Sequence, residues 1–313
     1  MTDPTDPQVT VDVGGGLRLR NPVIAASGTF GYGLEFAGVT DLRAIGAIVV
    51  KGLSLEPNRG HPAPRIVETP AGMLNAIGLQ NIGVRTFIES KLPQLRPFGT
   101  PIIANCWGHA PEEFAEVAAR LSDAEGVAAI ELNVSCPNKR EWGRIIATDL
   151  DLTREVVRLV RSRCRLPLWV KLSPNVTDIA SFARAAEDEG ADAVSLINTL
   201  LGLAVDLDRR RPALTNVTGG LSGPAIKPVA LRMVYEVVRT VRIPVIGMGG
   251  ISSGDDALEF LLVGARAVQV GTASFIDPRA TERIAAEITA GLRRRGCRDI
   301  HEWIGSFAGT PTM

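Results

Sequence analysis

Short apolar runs recur along this chain, and the residues standing where they end are Ser27, Lys51, Asn105, Asn133, Lys171, Asn198, the pair Gly249 and Gly250, and finally Gly271 with Thr272. Asparagine offers both a donor and an acceptor, which suits a planar ligand edged with alternating C=O and N–H groups, as pyrimidines and flavins are. A lysine beside a flavin stabilises the negative charge that develops when the ring takes up hydride. Lys51 or Lys171 would equally serve as a Schiff-base nucleophile, as in aldolase-type barrels. The two glycine sites expose bare backbone N–H groups suited to a phosphate, so a phosphate-bearing cofactor is implied. The run 128–138, AAIELNVSCPN, adds a thiol: its apolar residues lead into Ser135, Cys136, Pro137 and Asn138, and proline forbids continued ladder pairing. A lone cysteine is most often an inert packing residue, but the company of the other strand ends favours a reactive one.

Such residues need a scaffold that brings many strand ends to one place. Strand-length apolar runs occupy 22–26, 47–50, 101–104, 128–132, 168–170, 193–197, 244–248 and 267–270. Between them lie helical patterns with apolar residues at i, i+3, i+4 and i+7, such as Phe114, Val117, Ala118 and Leu121, or Ile179, Phe182, Ala183 and Ala186. Ser253, three residues before Asp256, reads as a capping-box helix start. Strands alternating with helices predict parallel pairing, and eight such units predict one closed (β/α)8 TIM barrel spanning residues 1–313 as a single α/β domain. The barrel's C-terminal face is where this fold holds its chemistry, and phosphate sites often lie after the last two strands. Residues 9–20 alternate around Gly14, Gly15 and Gly16 and predict an N-terminal β-hairpin that caps one end. Segments 52–81 and 200–223 are too long to be simple connections and are expected as inserted loops over the C-terminal mouth. The basic run Arg209, Arg210 and Arg211 within the second reads as a solvated surface.

Composition narrows the function classes. Lysines and arginines number 34 and acids 34, so no net field draws the chain to nucleic acid or an anionic membrane. Cys106, Cys136, Cys164 and Cys297 are widely spaced with no C-x-x-C, a pattern that fits neither a zinc site nor an iron–sulfur cluster and predicts reduced thiols with no metal. No G-x-G-x-x-G opens a βαβ unit, which argues against a nicotinamide cofactor bound within this chain. The start, MTDPTDPQVT, is acidic and proline-rich, and no apolar run approaches about 18 residues. These features predict a soluble, cytoplasmic protein whose partner is a small molecule or another protein.

The motifs resemble those of class 1 dihydroorotate dehydrogenases, most closely the catalytic subunits of the NAD-linked class 1B form. The likeness runs through ASGTFGYG (26–33), VVKGLS (49–54), NAIGLQN (75–81), ELNVSCPN (131–138), KLSPN (171–175), INT (197–199), NVTGGLSGPAIKPVALR (216–232), GMGGI (247–251) and VQVGTA (268–273), nearly the whole chain. The resemblance implies an FMN lined by Ser27, Lys51, Gly52, Asn105, Asn133, Lys171, Ile197, Gly223, Gly249, Gly250, Gly271 and Thr272. It implies dihydroorotate held by Lys51, Asn75, Ala76, Ile77, Gly78, Leu79, Asn133, Asn198 and Thr199, with Cys136 and Lys51 as catalytic residues. Cys136 falls on the family's base, which takes the C5 proton while hydride passes from C6 to FMN in the pathway to UMP. His61, His109 and His301 are read as surface or structural. A homodimer of barrels is implied, with an electron-transfer subunit carrying FAD and a 2Fe-2S cluster completing a heterotetramer and passing electrons to NAD. Two stretches depart from the pattern: 139–144 reads KREWGR where small glycines are usual, and Cys106 with Trp107 replaces smaller residues beside Asn105. The alternatives are a fumarate-dependent class 1A enzyme and a non-redox phosphate-binding barrel such as a Schiff-base lyase.

Overall fold

A strand buried on both faces of a parallel sheet shows no polar alternation, and the apolar runs form strands of this kind. The computed structural model describes residues 6–135 and 146–308. The chain begins with the antiparallel hairpin β1 (Val11–Asp12) and β2 (Arg18–Leu19), then enters β3 (Val23–Ala25) and β4 (Ala47–Leu53). After β5 (Ile66–Thr69) and β6 (Gly72–Asn75) come β7 (Ile102–Cys106), β8 (Val127–Asn133), β9 (Leu168–Lys171) and β10 (Ala193–Leu196). A second excursion, β11 (Leu200–Leu203), β12 (Val205–Asp206), β13 (Arg211–Pro212) and β14 (Thr218–Ser222), precedes β15 (Val245–Met248) and β16 (Ala267–Val270). Strands β3, β4, β7, β8, β9, β10, β15 and β16 form a closed barrel. All its neighbouring pairs are parallel, and closure is by Val268 of β16 against Val23 of β3. Each expected apolar run overlaps one of these strands, with ends that differ by no more than three residues.

Helices cover the barrel where the apolar periods place them. In Pro111–Asp123, Phe114, Val117, Ala118 and Leu121 are buried, and proline opens the helix where its missing N–H is no loss. Asp149 caps Leu150–Arg163 by accepting from Leu152 N, and Asp178 caps Ile179–Asp188 by accepting from Ser181 N. Ser253 and Asp256 make the expected capping box on Gly254–Leu262.

The hairpin packs against the N-terminal ends of β9 and β10, opposite the mouth. Gly14 adopts φ +95°, and a Cβ there would stand 2.1 Å from the Asp192 carbonyl oxygen. Gly14→Ala is therefore expected to destabilise the fold by roughly 2–4 kcal/mol, through positive-φ strain plus overpacking. Urea unfolding reads this as a lower midpoint at unchanged slope; a midpoint equal to that of the parent chain would mean that the plug contributes nothing.

The two long segments do not lie over the mouth as separate loops. They pair with each other into one four-stranded antiparallel sheet, ordered β11-β14-β6-β5. Alternation along β6 explains its two faces: Met73 and Asn75 turn to a cavity below, whereas Leu74 joins Ala76 and Leu214 in a small second core. Arg209, Arg210 and Arg211 are exposed, as a solvated run should be.

Candidate active site

Below the mouth, inward side chains from four strands converge on a carboxylate carried by a fifth. Glu131 of β8 is fully buried; Asn105 Nδ2 donates to its Oε1 at 2.8 Å, and Ser195 Oγ and Gln269 Nε2 donate to its Oε2 at 2.9 and 2.5 Å. Lys171 Nζ, at the end of β9, lies 3.9 Å from Oε1. An unpaired buried carboxylate would cost several kcal/mol, and these three donors with one ammonium compensate it. Sequence reasoning passed over Glu131, Ser195 and Gln269 because it read only the residue ending each run. The available signal was a charged residue set among apolar ones in a buried strand.

Above this layer a cavity of about 410 Å³ opens under the four-stranded sheet. Of the expected cofactor residues, Ser27, Lys51, Gly52, Asn133, Lys171, Ile197, Gly223, Gly249, Gly250, Gly271 and Thr272 line it; of the expected substrate residues, Asn75, Ile77, Gly78, Leu79, Asn198 and Thr199 do so as well. Asn105 stands one layer lower, fully buried, its Oδ1 2.7 Å from where a Gly52 Cβ would be. Ala76 turns away into the second core. Cys136 lies outside the described residues, as does the 139–144 stretch. Ser222, Gln80 and Thr29 are wall residues that the strand-end reading did not name. Lys51, Asn105, Asn133 and Lys171 lie within their strands rather than just beyond them, so backbone pairing orients each side chain.

Electrostatics distinguish the two lysines. Burial, with the Arg65 guanidinium nearby, holds the Lys51 ammonium below the ordinary lysine value against an opposing pull from Glu35. Lys171 lines the cavity, is only 6% exposed and makes no hydrogen bond to a described residue. The chain at the exit of β8 is held firmly: Asn198 Nδ2 donates to Ser135 Oγ at 2.7 Å, and Ser135 Oγ donates to Asn133 Oδ1 at 2.8 Å. Asn133 thereby keeps its NH2 for a ligand. Cys106 and Cys164 are buried, which pushes both thiols up. Trp107 packs beside Gly52, its ring 3.3 Å from a Gly52 Cβ position, and buried Cys106 pairs across the sheet with Leu53.

At the far end of the cavity the turn after β15 is built for close backbone approach. Gly250 has φ +76°, and a Cβ there would meet Lys227 N at 2.8 Å and Gly223 O at 2.9 Å. The turn is tied to the following helix. Burial pushes the Asp256 carboxyl up, but hydrogen bonds from Lys227, Ser252 and Ser253 outweigh it and bring it to about 2. Thr272 Oγ1 donates to Ser222 Oγ at 2.8 Å, linking the ends of β16 and β14.

Residues 10–292 match the family described as dihydroorotate dehydrogenase. The chain is 59% identical over 301 residues to a protein of Geobacter sp. (strain M21) named dihydroorotate dehydrogenase B (NAD(+)), catalytic subunit, covering 96% of this chain and 98% of that one. The protein of that name from Trichlorobacter lovleyi is 58% identical over 303 residues, covering 97% and 99%. This chain belongs to the dihydroorotate dehydrogenase family. Family membership implies a flavin, and the cavity fits one on its own features. The buried oxygens Asn105 Oδ1 and Gln269 Oε1 have no hydrogen-bond partner among the described residues, and the Lys171 ammonium on the cavity wall makes no hydrogen bond to a described residue. Among the described residues no helix is long and apolar enough to cross a membrane.

Proposed function

We propose that this chain is the catalytic subunit of an NAD-linked dihydroorotate dehydrogenase, a single-domain cytoplasmic flavoprotein that oxidises dihydroorotate to orotate in pyrimidine biosynthesis. The observation that carries this reading is the buried Lys171 ammonium, which makes no hydrogen bond to a described residue, at the wall of a cavity whose roof bears Asn75 and whose floor bears amide oxygens without partners among the described residues. FMN bound here would supply the hydride acceptor. Gly223, Gly249, Gly250, Gly271 and Thr272 would hold its phosphate through backbone N–H groups, and Ser27, Gly52, Asn105, Asn133, Lys171 and Ile197 would hold the ring.

The substrate is a planar anion with amide edges. Asn75, Asn133, Asn198 and Thr199 supply donors and acceptors for those edges, Ile77 to Leu79 shape the pocket under the sheet, and Lys51 supplies positive charge. Cys136 follows Ser135, which Asn133 and Asn198 anchor, and its Sγ takes the proton from C5 of the substrate. The relatives' names specify NAD(+), which favours this reading over the fumarate-linked one, and membership of a dehydrogenase family sets the Schiff-base reading aside.

A subunit described as catalytic works with another. We assign to that partner FAD and a 2Fe-2S cluster, and to the whole a heterotetramer around a homodimer of barrels. Phe275 and Ile276, 53% and 80% exposed on the cavity rim, support docking of an apolar partner there. Exposed Leu201, Leu203, Val205 and Leu207 on and after the edge strand β11 support a face between barrels.

The direct test is the absorption spectrum of the purified chain: bound flavin, bleached anaerobically by dihydroorotate, is expected, and a chain that neither carries nor takes up FMN would reject the assignment. Lys171→Ala is expected to make the bound flavin harder to reduce by roughly tenfold in the equilibrium, or to weaken its retention, because a buried cation is lost. An unchanged midpoint potential with full flavin occupancy counts against the role.

A further inference from the structure

We propose that Glu131 is a positioning residue for the cofactor site: its carboxylate fixes which way the amides of Asn105 and Gln269 face, and it offsets the charge of Lys171 at the cavity wall. The inference rests on the reading of the cavity as a flavin site.

An ionised carboxylate only accepts hydrogen bonds. Both amides must therefore turn NH2 toward Glu131, and both carbonyl oxygens are left pointing elsewhere. Those oxygens, Asn105 Oδ1 and Gln269 Oε1, are buried without partners among the described residues. Leaving a buried acceptor unsatisfied is costly, so a free amide would turn its oxygen to any donor within reach. Glu131 removes that choice twice, and it does so at the wall: Gln269 lines the cavity, and Asn105 Oδ1 abuts Gly52, which also lines it.

Lys171 receives a different constraint. At 3.9 Å from Oε1 it feels the carboxylate's attraction but forms no hydrogen bond with it, so the ammonium is held near β8 while its donors remain available. Its net field in the cavity is smaller than that of a lone cation. Ser195 completes the carboxylate's shell from β10 without reaching the cavity wall.

The test is the midpoint potential of the bound flavin, measured by dye-equilibrated titration of the purified holo-chain. Glu131→Gln is expected to shift the oxidised-to-reduced ratio by about tenfold toward reduced, about 30 mV for a two-electron couple, because Lys171 is no longer offset. In a Lys171→Met background the same substitution is expected to shift the potential little, since the cation it modulates is gone. Ser195→Ala removes one hydrogen bond to the same carboxylate but leaves its charge; it is expected to lower the melting temperature and leave the potential in place. Should Glu131→Gln not be recovered folded, Glu131→Asp draws the charge back by one methylene and is expected to give a smaller shift of the same sign. A flavin potential unmoved by whichever of these variants folds, or an equal shift with Lys171 removed, overturns the proposal. A wild-type chain unable to bind FMN overturns the site reading itself.

Discussion

Cys136→Ala is expected to retain its flavin and lose between about 10²- and 10⁴-fold in the rate at which dihydroorotate reduces it, the range typical for removal of a general base. A proton beside a carbonyl needs a base whose pKa lies near working pH, and a thiolate qualifies once neighbouring donors or cations draw it below its usual value of about 8.5. No other cysteine is placed to substitute. Cys106 and Cys164 are buried with thiols pushed up, and Cys297 is on neither the cavity wall nor its rim. His61 lines no part of the cavity, and its Nδ1 lies 3.0 Å from the Ala76 carbonyl oxygen. Cys136→Ser is expected to recover part of the rate only as pH rises, because a hydroxyl must lose its proton to act and does so far above the thiol. Stopped-flow flavin bleaching separates these outcomes from loss of cofactor, and near-wild-type bleaching by the alanine variant at neutral pH would remove Cys136 from the mechanism.

The isolated chain is expected to reduce artificial dyes with dihydroorotate and to reduce NAD at no measurable rate until the partner subunit is added. The chain has no dinucleotide fingerprint and no closely spaced cysteine set for a cluster. Cys106 and Cys164 are buried, and the described residues contain no grouping of three metal-ligating side chains. In the proposed assembly electrons leave through the rim that carries exposed Phe275 and Ile276. Charging one rim position, Ile276→Glu, should impair the NAD-linked rate more than the dye-linked one, since dyes need no docked surface. Robust NAD reduction by the homogeneous lone chain would contradict the two-subunit assignment, and brisk fumarate turnover would transfer the protein to the fumarate-linked class.

What was legible in the sequence follows from local rules. The eight barrel strands were legible because a strand buried on both faces is a continuous apolar run, and the helices because one buried face repeats with the helical period. Strand-end polarity pointed to Lys51, Asn133, Lys171 and the glycine turns because in a closed barrel all C-terminal strand ends meet at one mouth. Three results needed the tertiary structure. Segments 52–81 and 200–223 pair into one sheet through hydrogen bonds between backbones more than a hundred residues apart, for which no local pattern exists. Ala76 turned out to face the second core, because alternation along β6 assigns faces only once the pairing register is known. Glu131 became interpretable only when Asn105, Ser195, Gln269 and Lys171 were seen around it. A single buried charge in a strand signals a cost, and which groups meet that cost is decided by barrel closure, since only closure turns side chains from five strands onto one point.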